Sequence, residues 1–332
     1  MGISHFDIVQ ANSFLGTSTS LGIGNVYYVY NSNSTSAGAD LLKKYGGARY
    51  SDGSAMVYKH ESSASAVTTN GLKNALAATV EDRNDYVIVL GANSTYYIDE
   101  ALALNKKNVH IICPSGFGYE RGATNACRIQ QITAATAIFA VSDEAVEIAG
   151  FYLKNIDGAS AITLAATSYA PNIHHNYFPL IWTASGIGSI IGTGDGGAWG
   201  KIERNTFISQ AGGAVTCAAG VIQIQASATG CGVNYNEIII GDTQIATIGI
   251  ANGAVKGQTN FNIFSESGGA GVSDGGTITK CIAINASGCA IGNIGAVGTG
   301  QLLSGGTTLH SYAENYGAYI ANVGTTNGSV EA

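Results

Sequence analysis

Proline is nearly missing from this chain, with 3 in 332 residues, and charge is thin, at 11% of residues against a usual ~25%. So little charge beside 45% apolar content excludes a disordered chain, which stays unfolded through high charge and low hydrophobicity. Glycine is abundant at 46 residues, but without proline or a three-residue period it does not read as collagen. No apolar run approaches the ~18 residues needed to cross a bilayer, so no membrane insertion is expected. The opening MGISHFDIVQ lacks the basic and apolar regions of a signal peptide, and Phe6 stands where a myristoylation site needs Ser or Thr. The net charge of −7 argues against nucleic acid as a partner.

Six cysteines, at 113, 127, 217, 231, 281 and 289, are few for this length and include no CxxC pair. Without a secretion signal they are expected as reduced, buried small side chains. Two 14-residue intervals, Cys113 to Cys127 and Cys217 to Cys231, leave disulfides or a stacked sulfur column as alternatives. Zinc is not expected, because its ligand spacings are missing, and no other cofactor is expected either.

What charge there is lies unevenly. Residues 1–154 hold 11 of the 15 basic and 13 of the 22 acidic residues, and the remainder is filled with Gly, Ala, Ser, Thr, Asn and Ile. Residues 1 to about 60 read as irregular around one aromatic strand, Val26 to Tyr30. A short helix follows, with Thr69 or Asn70 as its cap and Leu72, Ala75 and Leu76 on one face. DYVIVL (85–90) reads as a strand buried on both faces. From there the chain is a succession of short apolar runs: VHIIC (109–113), AIFAV (137–141), VEIAGFYL (146–153), AITLA (161–165), VIQIQ (221–225), EIIIG (237–241) and TITKCIAI (277–284). Gly, Asn, Ser or Asp separates them and no helical period intervenes, which excludes a doubly wound sheet.

An imperfect repeat organises these runs. IHHNYF (173–178), IERNTF (202–207) and VNYNEI (233–238) share an apolar residue, two variable positions, Asn, a variable position and an apolar residue. TNFNIF (259–264) and CIAIN (281–285) are weaker echoes. The anchors are Asn176, Asn205, Asn236, Asn262 and, in the last echo, Asn285. Repeats of 20–50 residues made of β-runs alone predict a β-solenoid. Asn tolerates the left-handed bend between strands, and equivalent asparagines in coils ~4.8 Å apart can hydrogen-bond as a ladder. The short helix then falls where a cap over the open N-terminal end belongs.

A parallel β-helix with such coils resembles the pectate-lyase-like superfamily, which contains lyases, glycoside hydrolases and many viral fibres and spikes. SHFDIV (4–9), GLKNALAATVEDRNDYVIVL (71–90) and NKKNVHIICPSG (105–116) are similar to β-helix structural proteins of tailed bacteriophages. The resemblance covers the pattern of residues 60–325. It implies an all-β, single-stranded, right-handed parallel β-helix over 70–325, the handedness also following the crossover rule. An N-terminal attachment segment, 1–69, would precede it and a tail, 326–332, would follow. The resemblance further implies a virion structural protein: a capsid decoration, head-fibre or tail-fibre subunit, homotrimeric, made in the host cytoplasm and held by its N-terminal segment to phage capsid or tail proteins.

Catalytic groups of that superfamily are sought in vain in the sequence. The aspartate cluster with Gly-His-Gly and Arg-x-Lys strings of the polygalacturonase-like enzymes is missing, and the acids Asp157, Asp195, Glu203, Glu237, Asp242, Glu266 and Asp274 are scattered singly. Glu203 and Glu237 fall one coil and three residues apart, roughly 10–11 Å by strand geometry, too far for a retaining glycosidase pair at ~5–5.5 Å. The chain is therefore expected to be no enzyme, with a tailspike-like polysaccharide depolymerase and a glycan-binding adhesin as alternatives. Gly192 to Gly197 fits GxGxxG, but a strand-like run follows where a phosphate-binding helix is required. Gly271 to Gly275 fits GxSxG without a following helix or an ordered acid. His174 and His175 are not expected to bind metal, since adjacent strand residues diverge and only His110 lies near in sequence. Alignment on the asparagines stacks His175, Arg204 and Tyr235 in one outward column, either a solvated stripe or a surface for a glycan or partner. Tyrosine, 17 of the 28 aromatics, suits a subunit interface and sugar stacking alike.

Overall fold

The computed structural model describes residues 24–32, 37–44, 46–91, 94–117, 126–155, 159–180, 189–209, 221–240 and 248–266, and beyond them nine short strands between Ile282 and Glu331. Over the described residues the chain is mostly β, wound as a parallel solenoid of three sheets with 13, 10 and 9 strands. One coil places Asn172–His174 in the first sheet, Tyr177–Leu180 in the second and Ile190–Gly192 in the third. The chain then returns to Lys201–Glu203, which pairs in parallel with Asn172–His174.

Side chains at equivalent positions stack along the axis. The inward column of the first sheet reads Val87, Ile111, Ile148, Ile173, Ile202, Val233 and Thr259, all fully buried. In the third sheet the column is Leu102, Phe139, Ile162, Ile190, Ile222 and Ile250. In the second, the rings of Phe178 and Phe207 stack 4.6 Å apart and Ile238 follows. Each such burial contributes about 1.5–3 kcal/mol, so one column of the core outweighs any single corner.

Register partners in the first sheet are separated by 25, 29, 31, 26, 31, 18 and 18 residues from Ile148 to Thr326. An 18-residue coil holds three strands and little else. Longer coils carry much of their surplus between the second and third sheets, as between Leu180 and Ile190 or Ser209 and Ile222.

The N-terminal segment differs from the irregular stretch expected over 1–69. Strands β1 (Val26–Asn31), β2 (Val57–Ser63) and β3 (Ala66–Thr69) extend the first sheet beyond its first coil strand, β4 (Asp85–Leu90). β1 pairs in parallel with both β2 and β4, and β3 closes an antiparallel hairpin on β2. A helix not expected from the sequence, α1 (Ala37–Lys44), contributes Leu42 to a small cluster with Tyr30, Met56 and Val57. The expected helix is α2 (Gly71–Ala78), capped by Asn70, whose side chain accepts from Lys73 N at 3.0 Å. Leu72, Ala75 and Leu76 lie against the end of the core. At its other end Lys106 Nζ donates to Ala77 O and Thr79 O at 2.7 and 2.6 Å, placing a cation where the helix dipole favours one.

Asp85 ties this seal together. Fully buried, it accepts from Arg83 Nε, Asn25 N and Val80 N at 2.7–2.8 Å, while Arg83 Nη2 also reaches Tyr27 Oη. A buried carboxylate persists only with this many donors.

Three further expectations are corrected. β4 alternates between buried and half-buried residues, because a solenoid wall has one inner face. VEIAGFYL is two strands, Glu147–Ala149 and Phe151–Lys154, broken by a corner at Gly150 with φ +81°. The tail at 326–332 lies partly in strands Thr325–Asn327 and Val330–Glu331, which continue the first and second sheets. Among the described residues no helix is long and apolar enough to cross a membrane.

Candidate functional site

Between the first and second sheets each regular coil turns through one residue with φ near +55°, followed by an inward asparagine. The turning residues are His175, Arg204, Tyr235 and Phe261, and the asparagines are Asn176, Asn205, Asn236 and Asn262. The left-handed bend thus falls one residue before each Asn, not on it as expected. The reason is that the asparagine side chain is needed inside, where its amide replaces the ladder bonds the corner interrupts. Asn205 Oδ1 accepts from Asn176 N and Nδ2 at 3.0 and 3.2 Å, and the spare hydrogen of Asn176 Nδ2 goes to Ile148 O at 2.9 Å. Asn205 and Asn236 repeat the arrangement toward Asn236 and Asn262. Asn285 has no place in this ladder: Ile282–Ala286 is a third-sheet strand paired with Ile248–Asn252. In the second sheet Ile263 faces Ile294, so the sequence equivalent of Asn262 is Asn293, outside the described residues.

The turning residues form the outward column expected from the alignment, lengthened by Phe261. Tyr235 and Phe261 stack with centroids 5.2 Å apart and planes 12° from parallel, and Arg204 Cζ lies 5.9 Å from the Tyr235 centroid on the preceding coil. Both faces of Tyr235 are thereby flanked by its own chain, leaving edges and the hydroxyl outward. Stacking a sugar on Tyr235 would need a face that is already occupied.

A second corner column runs where the third sheet returns to the first: Asn84, Asn108, Ala145, Ala170, Trp199, Gly230 and Lys256, all with φ between +50° and +73°. Trp199 is 63% exposed, and its ring lies on Gly230, where a Cβ would meet Cε3 at 2.6 Å. Glycine at 230 serves both the positive φ and this close approach. Between the two corners the outer face of the first sheet presents Lys201, Glu203, Asn234 and Asn260 as a polar floor with aromatic edges.

Farther toward the N-terminus the same face carries a constellation not anticipated from the sequence. Glu147 Oε2 lies 2.7 Å from His110 Nδ1, and its Oε1 lies 2.7 Å from His174 Nε2. His110 Nε2 meets Asn84 Oδ1 at 2.6 Å. Hydrogen bonds from His110 and His174 pull the Glu147 carboxyl down to about 2. His174 and His175, expected to diverge, meet with their Nδ1 atoms 2.7 Å apart, because the left-handed corner at His175 turns its ring back. Burial, with the charges of His174 and Arg204, lowers the His175 pKa. Phe117 stacks on the His174 ring at 5.8 Å. The carboxylate acts as a clasp across three coils, holding two imidazoles from opposite sides. Sequence spacing hid it: the coil from His110 to Glu147 is 37 residues long, and Phe151 replaces the asparagine that would have marked it.

Glu203 and Glu237 stand in different sheets on either side of the Arg204–Tyr235 corner. Among the described residues no group of three or more His, Cys, Asp or Glu side chains is placed to hold a metal ion. Cys113, Cys127 and Cys231 are buried free thiols; Cys217, Cys281 and the side chain of Cys289 lie outside the described residues.

No family model matches the sequence, and no curated protein matches it. Among solved structures, a chain titled Geobacillus virus E2 – ORF18 is similar at a TM-score of 0.37 with 12% identity, over 79% of this chain. The match spans 57% of that protein's length.

Proposed function

We propose that this chain is a non-catalytic structural subunit of a bacteriophage virion: a single-stranded, right-handed parallel β-helix of the pectate-lyase-like kind, assembled as a homotrimer. One observation supports the assembly most. Exposed large apolar side chains line both edges of the first sheet's outer face on three successive coils, Trp199 and Val255 on one edge and Tyr235 and Phe261 on the other, with Ile263 opening the adjoining second-sheet strand. Exposed apolar edges on a charge-poor body favour a surface that meets another subunit. The phage assignment rests on the segments SHFDIV, GLKNALAATVEDRNDYVIVL and NKKNVHIICPSG. On this reading the segment 1–69 attaches the subunit to capsid or tail proteins, as a decoration, head-fibre or tail-fibre component of the particle. Light scattering on the purified chain should give a trimer, and Trp199→Glu with Tyr235→Glu should give monomers of unchanged far-UV circular dichroism. A wild-type monomer at micromolar concentration would overturn the assembly.

A non-catalytic glycan-binding role is the second reading, favoured by Trp199, whose exposed ring borders the polar floor. Glycan-array binding that disappears in Trp199→Ala would support it, and a blank array would remove it. A depolymerase would release oligosaccharides from host capsule or lipopolysaccharide and lose that release in Glu203→Ala; on the non-catalytic reading neither protein releases any.

A further inference from the structure

The corner after Ile112 is built differently from its neighbours. In the next coil Ala149, Gly150 and Phe151 pass directly from the first sheet to the second. Here Cys113 continues the register opposite Gly150, its N–H bonded to Ala149 O at 2.9 Å, and Cys127 lies opposite Phe151. Cys113 runs into the Pro114–Gly116 turn, and Ala126 leads into Cys127. Cys113 and Cys127 therefore occupy neighbouring positions in space, although 14 apart in sequence. The residues they face, Gly150 and Phe151, are consecutive, so the two cysteines stand at adjacent positions of the corner.

The sulfurs are prepared for each other. Cys127 N donates to Cys113 Sγ at 3.2 Å, Ser115 Oγ lies 3.2 Å from the same sulfur, and the Cys127 thiol donates to Gly91 O at 3.4 Å. The Pro114–Gly116 turn packs so tightly under the next coil that a Cβ on Gly116 would meet Gly150 O at 1.8 Å. We propose that Cys113 and Cys127 are a peroxide-sensitive thiol pair that closes into a disulfide at this corner.

Bonds from the Cys127 thiol, Ser115 and the N–H groups of Cys127 and Gly116 lower the Cys113 thiol to about 7. Burial alone pushes Cys231 up to about 12, so the two buried sulfurs differ in kind. The thiolate is the nucleophile. Cys113 thiolate attacks one oxygen of hydrogen peroxide, the O–O bond breaks, and the departing hydroxide takes a proton to become water. Cys127, losing its proton, attacks the resulting sulfenic sulfur; the S–O bond breaks and the second hydroxide leaves as water. Two thiols lose two electrons, and one peroxide becomes two waters. A small uncharged oxidant suits sulfurs that are both fully buried.

The test treats the folded full chain with hydrogen peroxide, then unfolds, alkylates and maps it by mass spectrometry. A linked Cys113–Cys127 peptide, two hydrogens lighter than the reduced pair, is expected while Cys231 remains alkylated. The closure rate should fall about tenfold per pH unit below 7, following the thiolate fraction. Cys127→Ser should stop at a sulfenic acid on Cys113, trapped by dimedone, whereas Cys113→Ser should give no adduct on Cys127. Both cysteines alkylated in peroxide-treated, still-folded wild type would overturn the proposal, as would a link from Cys113 to any other cysteine.

Discussion

Asn236 Oδ1 takes two hydrogen bonds from Asn205, one from its backbone N–H and one from Nδ2, each 3.1 Å long. The same two-to-one geometry joins Asn176 to Asn205 and Asn236 to Asn262. Each asparagine therefore satisfies the donors of the coil before it.

Removing an interior member leaves two donors without an acceptor. Asn205→Ala orphans Asn176 N and Nδ2, and at about 1–3 kcal/mol for each buried unsatisfied donor the expected loss is about 3 kcal/mol. Asn176→Ala orphans one donor, Phe151 N, and should cost about half as much. Urea unfolding with an unchanged m-value measures both, and equal losses would refute the directional ladder.

Ala170 is an exposed residue at φ +50°, a conformation that a Cβ disfavours by roughly 1–2 kcal/mol. Ala170→Gly should therefore raise stability by roughly 1 kcal/mol, contrary to the usual effect of adding glycine. A lower melting temperature in the variant would contradict this reading of the corner.

Gly230→Ala works in the opposite sense. It places a Cβ at φ +73° and 2.6 Å from Trp199 Cε3, so the ring must lift from its seat. In a Trp182→Phe background, which isolates Trp199, fluorescence should shift to the red and stability should fall by about 1–2 kcal/mol. Unchanged emission would mean that the ring does not rest there.

Two groups give acid sensitivity in successive, slightly overlapping windows. Burial holds His60 at about 4 against an ordinary 6.5, so between these values the unfolded chain carries a proton that the folded one lacks. Stability should fall as pH drops through that window, by up to about 1.4 kcal/mol per unit. Glu147, at about 2 against 4.5, adds stability above 4.5 that is lost as pH falls toward 2. Urea midpoints from pH 7 to 3 should show both declines, and His60→Gln should flatten the first alone.

The ladder was legible because the same apolar-x-x-Asn-x-apolar string recurs in each coil, at intervals of 29, 31 and 26 that follow the changing coil length. The residues that bend were not. Histidine, arginine, tyrosine, phenylalanine and tryptophan carry no sequence signal for positive φ; the corner imposes it, and the stacked columns outside accept whatever side chain arrives. The N-terminal strands escaped for a related reason. β2, VYKHESS, reads as polar and becomes a strand because β1 supplies a neighbour. Contacts such as His110 with Glu147 depend on register across a coil of irregular length, which a sequence alone does not count.

The variable step between register partners has a geometric result. A coil of 18 residues and one of 31 both advance the axis by the same strand spacing of ~4.8 Å, because the advance is set by strand pairing alone. Reach is thus a tally of turns rather than of residues. A body built this way can have its flank rewritten, by insertion or deletion of whole loops, and still place its two ends the same distance apart.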